Sequence, residues 1–260
     1  MNRRLVMLLS LFCLNGASAD VVPGAEADIH ITPLVHASVQ LEYRGFVVQV
    51  DPWDFLGLRG AKIADLILTT DDSSHHLDPN AIAKLRKPGT SIVVTEKGLS
   101  HVPDGIVMRN GATRDFDGVT VEAIAAYDII PGEPSHPKGD ANGYLVSLGG
   151  KRFYFAGVTE CVPEVMQLRD IDVAFIPLNI PRGRMVPAAA AECVRTLSPD
   201  IVYLYHYDQG YARRLTQPEA AGPVLPGNLT ILESLEKFES LLAGDGIEIR
   251  RGDFYPELTP

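Results

Sequence analysis

Residues 64–79 read ADLILTTDDSSHHLDP, an apolar segment that is followed directly by a polar one. The run from Asp65 to Thr70 predicts a buried strand. It ends abruptly in the polar string from Asp71 to His76, and Pro79 then begins a short predicted helix. A strand, a polar loop and a helix in this order are typical of a functional site, because loops held by a rigid scaffold carry many binding and catalytic residues.

Short β-rich runs flank this segment on both sides. Arg44-Gly45 before it and Gly149-Gly150 after it each separate two such runs, which predicts antiparallel hairpins with two-residue turns. The predicted strands are Ile29–Thr32, Ser38–Tyr43, Phe46–Val50, Ser91–Thr95, Val119–Ala125, Gly143–Leu148 and Arg152–Ala156.

The pattern then changes to alternating helices and strands. The predicted elements are helix Pro163–Leu168, strand Val173–Ile176, helix Pro187–Leu197 and strand Ile201–Tyr205. A last helix is predicted over Leu229–Ala243, where Thr230 and Glu233 have capping-box spacing and Gly244 follows. Hairpins followed by helix–strand alternation predict an α/β protein in which two sheets pack together with helices outside them.

The N-terminus has the composition of a secretory signal peptide. Asn2-Arg3-Arg4 precede an apolar run from Leu5 to Leu14, and small residues at positions 17–19 form a cleavage site. This run is much shorter than the roughly twenty residues that a membrane span needs. We therefore expect residues 1–19 to be removed and residues 20–260 to form one secreted or periplasmic domain with no membrane span.

The charge of the chain excludes one class of partner. It has 33 acidic and 23 basic residues, for a formal net charge of -10. The basic residues are scattered, so electrostatics does not support binding to a nucleic-acid backbone. The expected partner is a small-molecule substrate, and the sequence does not predict an oligomeric state.

Two cysteines, Cys161 and Cys193, remain once the predicted signal peptide is removed. In an oxidising compartment such as a periplasm they could form a disulfide. Two free buried thiols are the alternative, because the distance between two Cα atoms cannot be read from a sequence. The number of free thiols in unreduced protein separates the two cases.

The chain has seven histidines: His30, His36, His75, His76, His101, His136 and His206. Those at positions 75, 76, 136 and 206 lie in loops directly after or between predicted strands. Neutral imidazole is the commonest protein ligand for zinc, and a site needs three or four such groups from separate loops. A hydrogen-bonded or exposed side chain is the alternative for each of them. His30 and His101 do not fit this set and are assigned to structure or surface.

Several segments resemble the metallo-β-lactamase superfamily, and in particular its ascorbate-phosphate lactonase-like branch. The similar region runs from about Ile29 to Tyr207, and its segments have the order and spacing of that branch. These segments are Val35-His36-Ala37-Ser38, Val50-Asp51-Pro52-Trp53, Ala64 to Thr70, His76-Leu77-Asp78-Pro79, Ser135 to Gly139, Tyr154-Phe155-Ala156-Gly157 and Tyr205-His206-Tyr207. The resemblance implies a four-layer αββα sandwich with a metal site.

The chain departs from the superfamily pattern at several metal ligands. The superfamily's loop reads T-H-x-H-x-D-H, whereas here Asp71 stands at the first histidine, Ser73 at the second and His75 at the aspartate. Only His76 keeps the expected identity. Val158 replaces the aspartate that bridges two metal ions, and a valine side chain cannot be a ligand. We expect one ion in place of two, because two dications without a bridging carboxylate would repel each other strongly.

The remaining residues suit a single zinc ion. His75, His76 and His206 would bind it and leave a fourth position open for a water, whose pKa would fall to about 7 so that it can attack as hydroxide. Asp71 would act as general base or orient that water, and His136 would face the substrate.

Other side chains are expected around the ligands. His36 and Asp51 would steady the ligand loops, since ligating histidines usually donate their second N–H to such partners. An ordinary turn residue is the alternative for Asp51. Lys138 would contact an anionic group of the substrate or be a solvated surface lysine. Arg182 and Arg184 would rim the cleft or lie in an ordinary exposed loop.

The resemblance implies an exported metal-dependent hydrolase of a small ester, lactone or phosphodiester. An altered ligand set is also what a catalytically inactive relative would have. In that alternative the protein is a periplasmic module that binds a small molecule or a protein in the same cleft, with no metal required. Metal analysis of purified protein distinguishes the two.

Overall fold

The computed structural model describes residues 19–207 and 229–255. The predicted signal peptide lies outside these ranges except for its last residue, so its removal stays a prediction. Among the helices in the described ranges, none has both the length and the apolar character that crossing a bilayer requires.

The first sheet has seven strands, which lie side by side in the order of the sequence. They are β1 (Asp20–Pro23), β2 (Asp28–Val35), β3 (Ser38–Tyr43), β4 (Phe46–Val50), β5 (Ala64–Leu68), β6 (Arg86–Val94) and β7 (Ile106–Val107), as far as the described chain extends. Strands β1 to β4 pair antiparallel, and β4 to β7 pair parallel. Arg44 and Gly45 have φ of 51° and 84°, the positive values that a two-residue hairpin requires.

The second sheet is built in the same way from the later part of the described chain. Its strands are β8 (Thr113–Phe116), β9 (Val119–Ala126), β10 (Ala141–Leu148), β11 (Lys151–Phe155), β12 (Val173–Pro177), β13 (Ile201–Tyr205) and β14 (Glu248–Arg250). Strands β8 to β11 pair antiparallel, and β11 to β14 pair parallel. The change to parallel pairing begins where helices start to connect the strands, because a parallel pair needs a crossover.

Helices cover the outer faces of the two sheets. They are α1 (Pro79–Leu85), α2 (Pro163–Met166), α3 (Pro187–Leu197) and α4 (Ile231–Leu241). The carboxylate of Asp78 caps α1 by accepting from the backbone N–H of Asn80. The predicted capping box between Thr230 and Glu233 is present at the start of α4. Helices α2 and α4 are shorter than predicted, as is common at helix ends.

The main core lies between the two sheets. Leu66 and Leu68 of β5 belong to it, together with aromatic residues of β11 such as Phe153. Ile67 points to the other face of the first sheet, where it packs in a second cluster with Ile82 of α1. Strand residues therefore alternate between the inner core and the helix layer, and the predicted αββα sandwich is confirmed.

Short edge strands are the elements that the sequence patterns missed. Strands β1, β7, β8 and β14 have two to four residues each and carry few buried side chains. Such segments have too few residues to show an alternating pattern, and they become strands because a neighbouring strand pairs with their backbone.

The two cysteines form a disulfide. Cys161 precedes α2 and Cys193 lies in α3, with their Cα atoms 5.6 Å apart. The bridge joins residues separated by 32 positions in the sequence and ties the loop after β11 to α3. The alternative of two free thiols is excluded by this structure.

Replacing both cysteines with serine is expected to lower the free energy of unfolding by about 2–4 kcal/mol, because the bridge restricts the unfolded chain. Urea unfolding of the oxidised protein and the variant measures the difference. Reduced wild-type protein is the matched control and should resemble the variant. Thiol titration of the unreduced mature protein in denaturant should find no free thiol, and two free thiols would contradict the bridge.

Candidate metal centre

Four histidines from three separate loops meet at one end of the sandwich. His36 lies in the turn between β2 and β3, His75 and His76 lie in the loop between β5 and α1, and His206 follows β13. Each offers one ring nitrogen to a group in which all the nitrogens lie within 4.8 Å of one another. Three of the rings are buried, and that of His75 is partly exposed.

The backbone at this site adopts left-handed conformations. His36, Asp51 and His206 have φ of 59°, 45° and 57°, and each directly follows a strand. Residues other than glycine rarely adopt such values, and they concentrate at functional sites where the surrounding structure enforces them. The backbone N–H of His206 also donates to the carbonyl of His36 at 3.0 Å, which joins the loops of the two sheets.

A buried carboxylate fixes the orientation of His76. Asp51 Oδ2 lies 2.6 Å from His76 Nδ1, and both side chains are fully buried. Thr70 donates to the same carboxylate twice, from its hydroxyl at 2.6 Å and from its backbone N–H at 2.7 Å. With Nδ1 turned toward Asp51, the Nε2 atom of His76 points into the histidine cluster. This is the arrangement by which carboxylates usually support metal-binding histidines.

The geometry of the cluster fits a metal ion. Nε2 of His76 and Nε2 of His206 face each other at 3.1 Å. Two imidazole nitrogens bound to one tetrahedral zinc ion at about 2.05 Å would lie about 3.4 Å apart. The observed pair is therefore close to the separation that a shared ion would require.

The protonation state of the rings also suits ligation. Burial, with the neighbouring His76 and His36 rings, lowers the pKa of His75 to about 3. Burial and the surrounding imidazoles hold the pKa of His206 well below its ordinary value. A histidine must be unprotonated to bind a metal ion, so these two rings are already in the required form at neutral pH.

Asp71 lies beside the cluster and contacts other groups. Its Oδ1 accepts from the backbone N–H of Ser73 at 2.7 Å and from the Ser73 hydroxyl at 2.5 Å. Its Oδ2 is buried without a hydrogen-bond partner among the described residues and lies 3.5 Å from His136 Nε2. Burial opposes ionisation, but the His76 ring and the contacts with His136 and Ser73 outweigh it and hold the pKa of Asp71 well below its usual range.

A small cleft opens beside Asp71 and His136. Its volume is about 170 Å³, and Ser73 and Asp140 also line it. Asp140 is paired there with Lys97 at 2.5 Å. The side chain of His136 is 22% exposed, and its second ring nitrogen, Nδ1, lies 3.6 Å from Asp128 Oδ1. The cleft therefore gives solvent access to the His136 ring and borders Asp71, whereas most of the four-histidine cluster is buried.

The structure divides the predicted site residues into two groups. The proposed ligands His75, His76 and His206 lie together, and Asp71 and His136 form a separate pair next to them. His36, which we expected to steady the ligand loops, contributes a ring nitrogen to the cluster itself. Val158 is buried in the core.

The basic residues proposed around the cleft have other contacts. Lys138 is exposed and paired with Glu164. Arg182 is exposed and donates to the carbonyl of Glu133. The expectation of an ordinary exposed loop is wrong for Arg184, whose side chain is 1% exposed and is paired with Asp128. A guanidinium so close to full burial needs a carboxylate partner, and no local pattern indicates which carboxylate that is.

The sequence patterns did not predict the role of two polar residues of the site. Thr70 ends the predicted strand, and its position directly before Asp71 was the only signal for it. Asp128 follows β9 by two residues, and an acidic residue just after a strand is a signal that could have identified it.

Comparisons with known proteins identify the family and agree with the fold. The family model of the beta-lactamase superfamily domain matches residues 30–206. A crystal structure from Parabacteroides distasonis, of a protein provisionally named a metal-dependent hydrolase, is 31% identical with a TM-score of 0.76, and the alignment covers 92% of this chain and 100% of that one.

Sequence relatives from several organisms carry the name UPF0173 metal-dependent hydrolase. The relative from Thermus thermophilus is 25% identical over 226 residues, which is 79% of this chain and 100% of its own length. The relative from Symbiobacterium thermophilum is 28% identical over 179 residues, which is 62% of this chain and 77% of its own.

Proposed function

The chain belongs to the beta-lactamase superfamily, and on this basis we propose that it is an exported metal-dependent hydrolase of a small ester or lactone, with phosphodiesters as the second substrate class. The observation that carries the proposal is the group of four imidazoles within 4.8 Å, next to the cleft that contains Asp71 and His136. The names of the relatives from Thermus and Parabacteroides support the reaction class.

The imidazoles are the groups that would hold the metal ion. His75, His76 and His206 suffice for a catalytic zinc site, which keeps one position open, and His36 lies close enough to be a further ligand. When bound, the ion would polarise a substrate oxygen and lower the pKa of a water molecule. The supply of neutral imidazoles and the absence of a carboxylate at Val158 support one ion in place of two.

Asp71 is placed to orient the attacking water. Its buried Oδ2 has no hydrogen-bond partner in the described chain, so it can accept a hydrogen bond from a water in the cleft. Because its pKa lies well below the usual range, the carboxylate remains ionised and accepts hydrogen bonds without readily taking a proton. Of the two roles predicted from the sequence, orienting the water is therefore the better supported.

His136 is placed to exchange a proton with a bound molecule. Its ring lines the cleft and is partly exposed, with Nε2 toward Asp71. A cleft of about 170 Å³ is smaller than most ligand pockets, so it would admit only a small group such as an ester or lactone ring. The disulfide supports export, because such bridges persist in oxidising compartments.

One observation favours a second candidate function. Four imidazoles can complete a tetrahedral zinc site, and a closed site of this kind is structural in most proteins. His36, His76 and His206 are each 2% exposed or less, which restricts access of a substrate to the cluster. The second candidate is therefore a binding module that uses the cleft without turnover.

Metal analysis combined with a substrate panel tests the proposed function. We expect the mature wild-type protein to hold about one zinc ion and to hydrolyse a chromogenic ester or a lactone, with activity lost in a chelator and restored by zinc. Zinc binding without turnover of any ester, lactone or phosphodiester would favour the binding module. Folded protein that binds no metal at neutral pH would contradict the hydrolase.

Replacing Asp71 with asparagine is expected to lower kcat roughly 100-fold, because the amide is a weaker acceptor and the water is less well oriented. Metal content should not change, since Asp71 is not part of the imidazole cluster. The exposed carboxylate of Asp104 provides the matched control, and its asparagine variant should keep wild-type turnover. Unchanged turnover in the Asp71 variant would remove this residue from the mechanism.

A further inference from the structure

We propose that Asp128 is a positioning residue for His136 and that Arg184 anchors it. In this arrangement the carboxylate of Asp128 fixes the tautomer of the His136 ring and directs its Nε2 atom toward Asp71 and the cleft. The inference rests on the proposed function, because it assigns a partner to the histidine that faces the substrate there.

Two carboxylates face the two nitrogens of the His136 ring. Nδ1 lies 3.6 Å from Asp128 Oδ1, and Nε2 lies 3.5 Å from Asp71 Oδ2. These are ion-pair separations that are longer than hydrogen bonds. Nδ1 is buried and has no hydrogen-bond partner within the described residues. Catalytic hydrogen bonds are often long in the free protein and shorten when a ligand binds.

Asp128 also holds the backbone of the residue that it orients. Its Oδ2 accepts from the N–H of Ser135 at 2.7 Å and from the N–H of His136 at 3.1 Å. The N–H of Asp128 in turn donates to the carbonyl of His136 at 3.0 Å. One residue therefore sets both the position of His136 in its loop and the surroundings of its Nδ1 atom.

Arg184 pairs with the same oxygen of Asp128 that faces His136 Nδ1. Its guanidinium is 1% exposed and pairs with Asp128 Oδ1, whose side chain is 3% exposed. Its Nε donates to the carbonyl of Pro181 at 2.8 Å, which ties the guanidinium to its own loop. Arg182 from the same loop donates to the carbonyl of Glu133. The loop that carries His136 is thus anchored by two arginines, one of them buried.

The arrangement determines where the neutral ring carries its proton. An ionised carboxylate only accepts hydrogen bonds, so Asp128 favours hydrogen on Nδ1 and Asp71 favours hydrogen on Nε2. We assign the hydrogen to Nδ1, because Asp128 also holds the backbone of His136, whereas Asp71 accepts from the attacking water in the proposed function. The lone pair is then on Nε2, which faces the cleft and Asp71. Nε2 can take up a proton released by a water or a bound molecule and return it to a leaving oxygen. No other bond to the histidine forms or breaks in this exchange.

Side-chain NMR of the zinc-loaded protein tests the proposal without a known substrate. Two-bond proton–nitrogen correlations in uniformly ¹⁵N-labelled protein distinguish the two histidine tautomers, and the His136 signals are those missing from His136→Gln. The measurement is made at a pH where titration shows this ring to be neutral. We expect hydrogen on Nδ1 in the wild type, and a shift toward the Nε2 tautomer in Asp128→Asn.

Two outcomes would overturn the proposal. The first is a wild-type His136 with hydrogen on Nε2, which decides the matter even if the Asp128 variant fails to fold. The second is an unchanged tautomer in folded Asp128→Asn. The exposed-site variant Asp104→Asn is the control and should leave the His136 signals unchanged.

Kinetics separates failure of this inference from failure of the proposed function. If a substrate is found, Asp128→Asn should lower kcat roughly 10-fold to 100-fold with little change in KM, because His136 remains in place but its Nε2 then carries a hydrogen and cannot take up a proton. The expected tautomers without turnover of any substrate would contradict the hydrolase and leave the positioning role supported. Turnover with an unchanged tautomer would contradict only the positioning role.

Discussion

Alanine at both His76 and His206 is expected to abolish metal binding, reducing the zinc content of purified protein from about one equivalent to a trace. The two Nε2 atoms face each other at 3.1 Å, so the double variant removes the two nitrogens that are best placed to share an ion. Catalytic zinc needs three protein ligands, and His36 and His75 alone cannot provide them. Elemental analysis after dialysis against metal-free buffer measures the loss.

The control for this variant uses histidines of the same chain outside the cluster. His30 and His101 are both exposed, so alanine at both positions should leave the zinc content unchanged. Melting curves of all three proteins in a chelator show whether the fold survives without metal. Retention of one tightly bound zinc by folded His76→Ala, His206→Ala protein would refute the metal centre proposed for this cluster.

Alanine in place of Asp51 is expected to lower the free energy of unfolding by about 3–5 kcal/mol, because several buried donors lose their acceptor at a cost of about 1–3 kcal/mol each. The fully buried carboxylate accepts from the hydroxyl and backbone N–H of Thr70 and contacts His76 Nδ1. Removing it leaves these groups in the protein interior without their acceptor, and each loses its hydrogen bond without regaining water. Urea unfolding at neutral pH measures the change.

Metal affinity provides a second measurement on the same position. Asp51→Asn keeps the shape of the side chain but weakens the hydrogen bond between this side chain and His76 Nδ1. Zinc affinity should therefore fall roughly 10-fold to 100-fold. Asp104→Ala is the control for stability, because an exposed carboxylate paired with Arg86 should contribute less than about 1 kcal/mol. A loss of stability in Asp51→Ala no greater than in the control would contradict the structural role of this carboxylate.

The loop after β5 shows how the site differs from the superfamily pattern. The superfamily pattern has a histidine at the position of Asp71 and an aspartate at the position of His75, so the two residue types are exchanged in this chain. The structure places the two side chains in different groups. His75 lies in the imidazole cluster, whereas Asp71 pairs with His136 across the cleft. Asp71 and His136 thus form a carboxylate–imidazole pair beside the cluster, which supports proton transfer there in place of a second metal ion.

Much of the fold followed from local patterns. The strands Ser38–Tyr43, Phe46–Val50 and Ile201–Tyr205 have the predicted bounds, and both two-residue turns have positive φ at each position. Hairpins and capped helices can be read from a sequence because turn chemistry and apolar periodicity act over a few residues. The structure confirms the predicted sandwich, and the family model confirms the predicted superfamily. Strands that form only by pairing at a sheet edge were not predicted.

The sequence by itself determined the inventory of the site: the histidines at strand ends, the lost bridging carboxylate at Val158 and the acidic residue at position 71. Only the tertiary structure decided that His36 joins the cluster and that the two cysteines meet. It also decided that Asp128, paired with the buried Arg184, contacts His136. The physical reason is that these contacts join loops from two different sheets. Their distances depend on how the sheets pack, which no pattern within one segment of chain encodes.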